Sequence, residues 1–81
     1  MDRSEVLSKL TELMRDTFDD ENLVPTDETT AENVADWDSA NHVRLMIAIE
    51  EEFHVTFETD EITAPENVGE LIDLIISKLN S

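Results

Sequence analysis

Ser39 stands where a long acidic loop gives way to an amphipathic helix, directly after Trp37 and Asp38. A serine hydroxyl at a helix start is a good place to attach a phosphate. The first-turn N–H groups lack helical partners there, and the helix dipole favours negative charge. Asp and Ser are also ordinary helix caps, so the pair alone says little. The residues that follow say more: Val43, Leu45, Met46, Ile47, Ala48 and Ile49, then Glu50, Glu51, Glu52 and Phe53.

No other constellation in the chain suggests chemistry. His42 falls near Ile49 on a helical wheel and reads as a packed, hydrogen-bonded histidine. His54 reads as a surface or loop residue. The clusters Asp19-Asp20-Glu21 and Glu50-Glu51-Glu52 lack the alternating ligands and central glycine of a calcium loop, so no metal site is expected. No serine-histidine-acid set or catalytic carboxylate pair can be argued, and a chain this small has little room for a water-excluding pocket. The expectation is a protein that is not an enzyme.

Composition sets the frame that must position Ser39. A chain of 81 residues is one small domain, residues 1–81. Such a domain buries only about 60–65% of the surface of its unfolded chain. Apolar residues make up 40%, enough for one core and too many for a disordered acidic tail. One glycine and two prolines favour helices over tight hairpins. The absence of cysteine excludes disulfides and thiolate metal sites. No stretch reaches the ~18 apolar residues of a membrane span. The N-terminus lacks the basic start and apolar run of a signal peptide, so a cytoplasmic protein is expected. A net charge of −16 repels nucleic acid and anionic lipid and calls for partners with basic patches. A monomer is expected.

Periodicity predicts a first helix over residues 5–18, with Val6, Leu7, Leu10, Leu13, Met14 and Phe18 in a stripe roughly 140° wide. Asp2 or Ser4 can cap it. Residues 19–38 have no clear period. Loops of this length are usually functional, and Leu23, Val24, Val34 and Trp37 are expected to pin this one to the bundle. A short helical turn is expected at residues 30–34, capped by Thr29 or Thr30. The second helix starts at Asp38 or Ser39 and ends at Phe53. Its apolar residues, with His42, cover roughly 200°, wider than one packing stripe requires, with Glu50 interrupting the arc. Ala40 and Ile47, at the edge of that arc, are the candidates for an exposed part.

Residues 54–58 alternate polar and apolar types. A lone strand has nothing to pair with, so they read as an extended link with Val55 and Phe57 turned inward. Asp60-Glu61-Ile62 gives at most one helical turn. The last helix is predicted to open at Thr63-Ala64-Pro65-Glu66, where Thr63 and Glu66 have capping-box spacing. Val68, Leu71, Ile72, Ile75 and Leu79 then follow at helical spacing. The fold expected is all-α: a small four-helix bundle with three main helices, one short helix and a long first loop.

Taken together, the order of helices, the acidity, the Asp38-Ser39 pair and the run from Leu45 to Phe53 resemble an acyl carrier protein. The stretches Thr30-Ala31-Glu32-Asn33-Val34 and Asn67-Val68-Gly69-Glu70-Leu71 resemble discrete, free-standing members of the phosphopantetheine-dependent carriers. The resemblance covers nearly the whole chain. It implies that Ser39 receives 4′-phosphopantetheine from coenzyme A through a phosphopantetheinyl transferase. It implies that Asp38 helps to hold magnesium in the modifying enzyme's complex. It also implies a thioester-bound acyl or aminoacyl cargo, in fatty acid or polyketide biosynthesis or a related pathway, delivered to partner enzymes by the second helix. Ala40, Val43, Arg44, Ile47, Glu50 and Glu51 are the candidate partner residues. Two of them depart from the family: Ala40 stands where leucine is usual, and Arg44 lies on a face usually acidic or neutral. The alternative from another class is an unmodified acidic module that binds a basic partner through the same helix.

Overall fold

In a computed structural model, which describes residues 1–80, the chain forms four helices and one turn of 3-10 helix. Helix α1 spans Arg3–Thr17, α2 Ser39–Phe53, α3 Thr59–Thr63 and α4 Val68–Leu79; the 3-10 turn spans Ala31–Asn33 in the first loop. The expected all-α bundle is the fold.

Each helix starts at a side-chain cap or a near relative of one. Asp2 caps α1 by accepting the Glu5 N–H at 2.8 Å. Helix α1 therefore begins two residues earlier than its apolar period suggests, because Arg3 and Ser4 are polar and leave no mark in that period. Val6, Leu10 and Met14 form its buried stripe. The 3-10 turn starts at Thr30, whose N–H donates to Asn33 Oδ1 at 2.9 Å. Helix α2 ends at His54, which adopts φ 57°, a left-handed conformation more often taken by glycine or asparagine. The link that follows turns Phe57 inward, and Val55 packs partly against the core.

Three expectations need correction. Helix α4 does not open at Thr63. That residue ends α3, and Asn67 caps α4 by accepting the Glu70 N–H at 2.8 Å. The Asn67…Glu70 spacing is an equal capping signal, and it is the one the fold uses. Helix α3 is longer than Asp60-Glu61-Ile62, because Glu61 folds back to accept the Glu58 N–H at 2.8 Å and starts the helix earlier. Val24 does not pin the loop: it is 73% exposed, and Pro25 is buried in its place.

Helix α1 packs against both α2 and α4. The core joins their stripes: Val6, Leu10 and Met14 meet Leu45, Met46, Ile49, Leu71, Ile72 and Ile75, all at 1% exposure or less. Phe18, Val34 and Trp37 carry the long loop onto that core. The loop is also tied by its backbone, since the N–H groups of Val68 and Gly69 donate to Thr29 O at 2.9 Å and Asp27 O at 2.8 Å. Gly69 permits this approach: a Cβ there would lie 3.0 Å from Asp27 O. Arg3 bridges the same region, pairing with Asp27 and with Asp73. The long loop is thus fixed at both ends and in its middle, and its last residues deliver Trp37, Asp38 and Ser39 to the start of α2.

Candidate functional site

Ser39 is the first residue of α2 and is exposed. Asp38, just outside the helix, accepts the Asn41 N–H through Oδ1 at 2.8 Å, and its carbonyl accepts the His42 N–H at 2.8 Å. Asn41 reaches back to donate from Nδ2 to Asp36 O at 2.8 Å, which fixes the loop against the helix. The N–H groups of Ser39 and Ala40 have no partner among the described residues. They form the positive end of the helix beside the Ser39 hydroxyl.

Trp37 and His42 build the floor beside that hydroxyl. The Trp37 ring leans on Phe18 with centroids 5.6 Å apart and stacks on His42 at 6.0 Å. Trp37 Nε1–H donates to His42 Nδ1 at 2.9 Å. An indole nitrogen only donates, so His42 Nδ1 is the acceptor and Nε2 carries the ring proton. That Nε2–H donates to Ile62 O on α3 at 2.6 Å. His42, expected to be packed and hydrogen-bonded, is both.

Between these elements lies an open groove of about 500 Å³, lined by Ala31, Trp37, Asp38, Ser39, His42, Val43, Ile62, Thr63 and Pro65. Its far wall is α3, which is tied to α4 by Lys78 Nζ and Glu61 Oε1 at 2.6 Å. The hydrogen bond from Lys78, and then that from the Glu58 backbone N–H, hold the Glu61 carboxyl below its usual pKa; partial desolvation opposes them.

The sequence-derived residues divide into three places. Asp38, Ser39 and Val43 lie on the groove. Ala40, Arg44, Ile47 and Glu51 are exposed on α2, and Val43 and Ile47 are about half exposed despite their apolar side chains. Glu50 is half-buried, and its Oε2 accepts the Phe57 N–H at 2.8 Å, so this carboxylate fastens the link after α2. Arg44 forms no ion pair among the described residues, whereas the other four cations bind acids or a backbone carbonyl within the chain. Sequence reasoning missed Ile62, Thr63 and Pro65 as groove residues. They reach it only through tertiary folding, and no local pattern marks them. No cluster of three metal-ligating side chains occurs among the described residues, and no helix of the described residues is long and apolar enough to cross a membrane.

Known proteins with the same helical order and the same extent are carriers. The chain is 35% identical to an acyl carrier protein of Petrotoga mobilis, over 99% of this chain and 94% of that one. Its fold matches the solution structure of a holo acyl carrier protein from Geobacter metallireducens, with TM-score 0.86 and 37% identity over 93% of this chain and 86% of that one. It also matches the crystal structure of an acyl carrier protein from Thermotoga maritima, with TM-score 0.86 and 28% identity over 99% and 93%. No family model matches the chain. The chain belongs to the acyl carrier proteins. These are non-catalytic carriers that normally hold phosphopantetheine, and a carrier role follows for this chain. The residues around Ser39 fit such a group: an exposed hydroxyl, two unpaired N–H groups and a largely apolar groove meet at one point.

Proposed function

We propose that Ser39 carries 4′-phosphopantetheine and that the chain delivers an acyl or aminoacyl group held on that arm. The observation that carries this reading is the exposed Ser39 hydroxyl at the N-terminal end of α2, on the lip of the groove. In the loading step, Ser39 Oγ gives up its proton and bonds to the pantetheine-side phosphorus of coenzyme A. The bond to the bridging oxygen breaks, and adenosine bisphosphate leaves. The free N–H groups of Ser39 and Ala40 then face the new phosphodiester. Asp38 keeps one oxygen on the Asn41 N–H. Its other oxygen is available to magnesium in the transferase complex. The arm supplies a terminal thiol, on which the cargo is held as a thioester.

Delivery falls to the exposed face of α2. Ala40, Val43 and Ile47 offer a small apolar centre, Arg44 a single cation, and Glu51 part of an acidic rim. Glu50 contributes less, since it serves the fold. Partners are a phosphopantetheinyl transferase and loading and transferring enzymes with basic patches. A monomer acting in the cytoplasm suits that role.

Intact mass tests the reading. The chain is incubated with coenzyme A and a broad-specificity phosphopantetheinyl transferase. A gain of one phosphopantetheine is expected, and Ser39→Ala abolishes it. If several transferases add nothing, the reading fails and the unmodified interaction module takes its place.

A further inference from the structure

Arg44 stands apart from the other cations of the chain. The sequence holds 21 Asp and Glu residues against 5 Lys and Arg, so acids are plentiful. Arg3 pairs with Asp27 and Asp73, Lys9 with Glu52 and Lys78 with Glu61, while Arg15 Nε donates to Leu23 O. Arg44 is exposed and has no ion pair or hydrogen bond among the described residues. The cause is local: its neighbours one turn away, Ala40, Asn41, Ile47 and Ala48, include no acid. The fold therefore makes no use of this charge. Its setting is the outward face of α2, where Val43 and Ile47 are about half exposed. Arg44 follows Val43 in sequence and shares a helix face with Ile47 at i, i+3. An enzyme that reaches Ser39 Oγ covers the first turn of the same helix. Closing on Val43 and Ile47 then takes water from the guanidinium as well.

We propose that this face selects enzymes that set an aspartate or glutamate carboxylate against Arg44, within an otherwise basic docking patch, and rejects enzymes with a cation at that point. The inference rests on Ser39 as the attachment point, because that is what brings an enzyme onto α2. A guanidinium stripped of water needs an acceptor, since an unpaired buried charge is costly. A carboxylate matches its planar fork with two parallel hydrogen bonds. A lysine or arginine there is repelled and leaves both charges unpaired. Charge thus acts at two ranges. The net charge of −16 draws basic surfaces in from a distance. Arg44 then tests the match at contact, where desolvated charges are screened less. Glu51 lies seven residues further on, about 10 Å along the axis, and calls for the opposite sign. A fitting enzyme therefore carries an acid and a base on either side of its contact with Ile47. A second copy of the chain is a poor occupant, because two bodies of this charge repel each other on approach.

The probe is a broad-specificity phosphopantetheinyl transferase. Glutamate is placed in turn at each position of its docking surface, and loading is followed by intact mass on the parent chain, Arg44→Glu and Arg44→Lys. At one position the new glutamate is expected to lower KM about tenfold for the parent and to raise it for Arg44→Glu, with kcat little changed. Arg44→Lys is expected to keep only part of the gain, since an ammonium lacks the paired donors. Arg44 has no partner in the fold, so the variants are expected to melt with the parent, and the change in KM reports docking. A scan in which no position gives this reciprocal response overturns the proposal. So does a sedimentation mass that doubles with concentration only while Arg44 is present, because a second copy is then the occupant. Failure of the attachment reading is distinct: the parent and both variants then gain no phosphopantetheine from any transferase, and the proposal falls with it.

Discussion

At the scale of single residues, the site depends on a few hydrogen bonds that set Ser39 in place. Asp38→Ala removes the cap on Asn41, and caps of this kind are worth about 1 kcal/mol. A drop of that size in urea unfolding is expected, and slower phosphopantetheinylation with it; unchanged values for both would remove Asp38 from the site. His42→Leu costs more, about 1–3 kcal/mol, because it leaves both the Trp37 N–H and the Ile62 carbonyl without a partner. A neutral result in denaturant melts would show that water replaces both bonds. Much of this was legible in the sequence. Asp38 and Ser39 stood at a recognisable helix start, and His42 lay on the buried arc of α2. The partner of His42 was not legible, because a backbone carbonyl twenty residues away leaves no trace in local spacing. The structural bond of Glu50 was hidden for a related reason: only the folded link shows that it accepts the Phe57 N–H.

Among the elements, the long loop and the short helix α3 matter most, since neither has a strong helical period of its own. Gly69→Val forces branched methyl groups against Asp27, where even one Cβ would lie 3.0 Å from the carbonyl oxygen. Overpacking of this kind costs about 1–3 kcal/mol. Thermal melts should show the loss, and amide exchange should quicken at Val68 and Gly69. A variant as stable as the parent would mean that the loop shifts freely. Helix α3 gives a pH dependence. The folded Glu61 carboxyl titrates below its ordinary value of 4.5, chiefly through Lys78. Its contribution is fully present above that value and is lost as pH falls through the lower folded value. Glu61→Gln should therefore flatten part of the acid side of the stability profile, and parallel profiles for the two chains would exclude the effect. The three main helices were readable because their apolar stripes repeat. The start of α4 was misread because Thr63…Glu66 and Asn67…Glu70 offer the same capping signal, and only the fold, in which Thr63 ends α3, decides between them.

For the whole molecule, charge is the dominant quantity. A net charge of −16 is held within a radius of gyration of 11.4 Å. That radius matches the screening length of about 10 Å at 0.1 M salt, so modest salt screens repulsion across the entire body. The ion pairs that salt also weakens, Arg3 with Asp27 and Asp73 and Lys9 with Glu52, are well exposed and contribute little. Repulsion therefore outweighs them, and the melting temperature is expected to rise between low salt and about 0.2 M. A flat or falling trend in thermal scans would reverse that ranking. One property of this small body has a practical outcome. Trp37 is the chain's only tryptophan, and its ring is the floor of the groove. The protein thus has its own optical probe at the site. Loading, unloading and any loosening of the His42 contact should register as changes in native emission, read continuously and without a label.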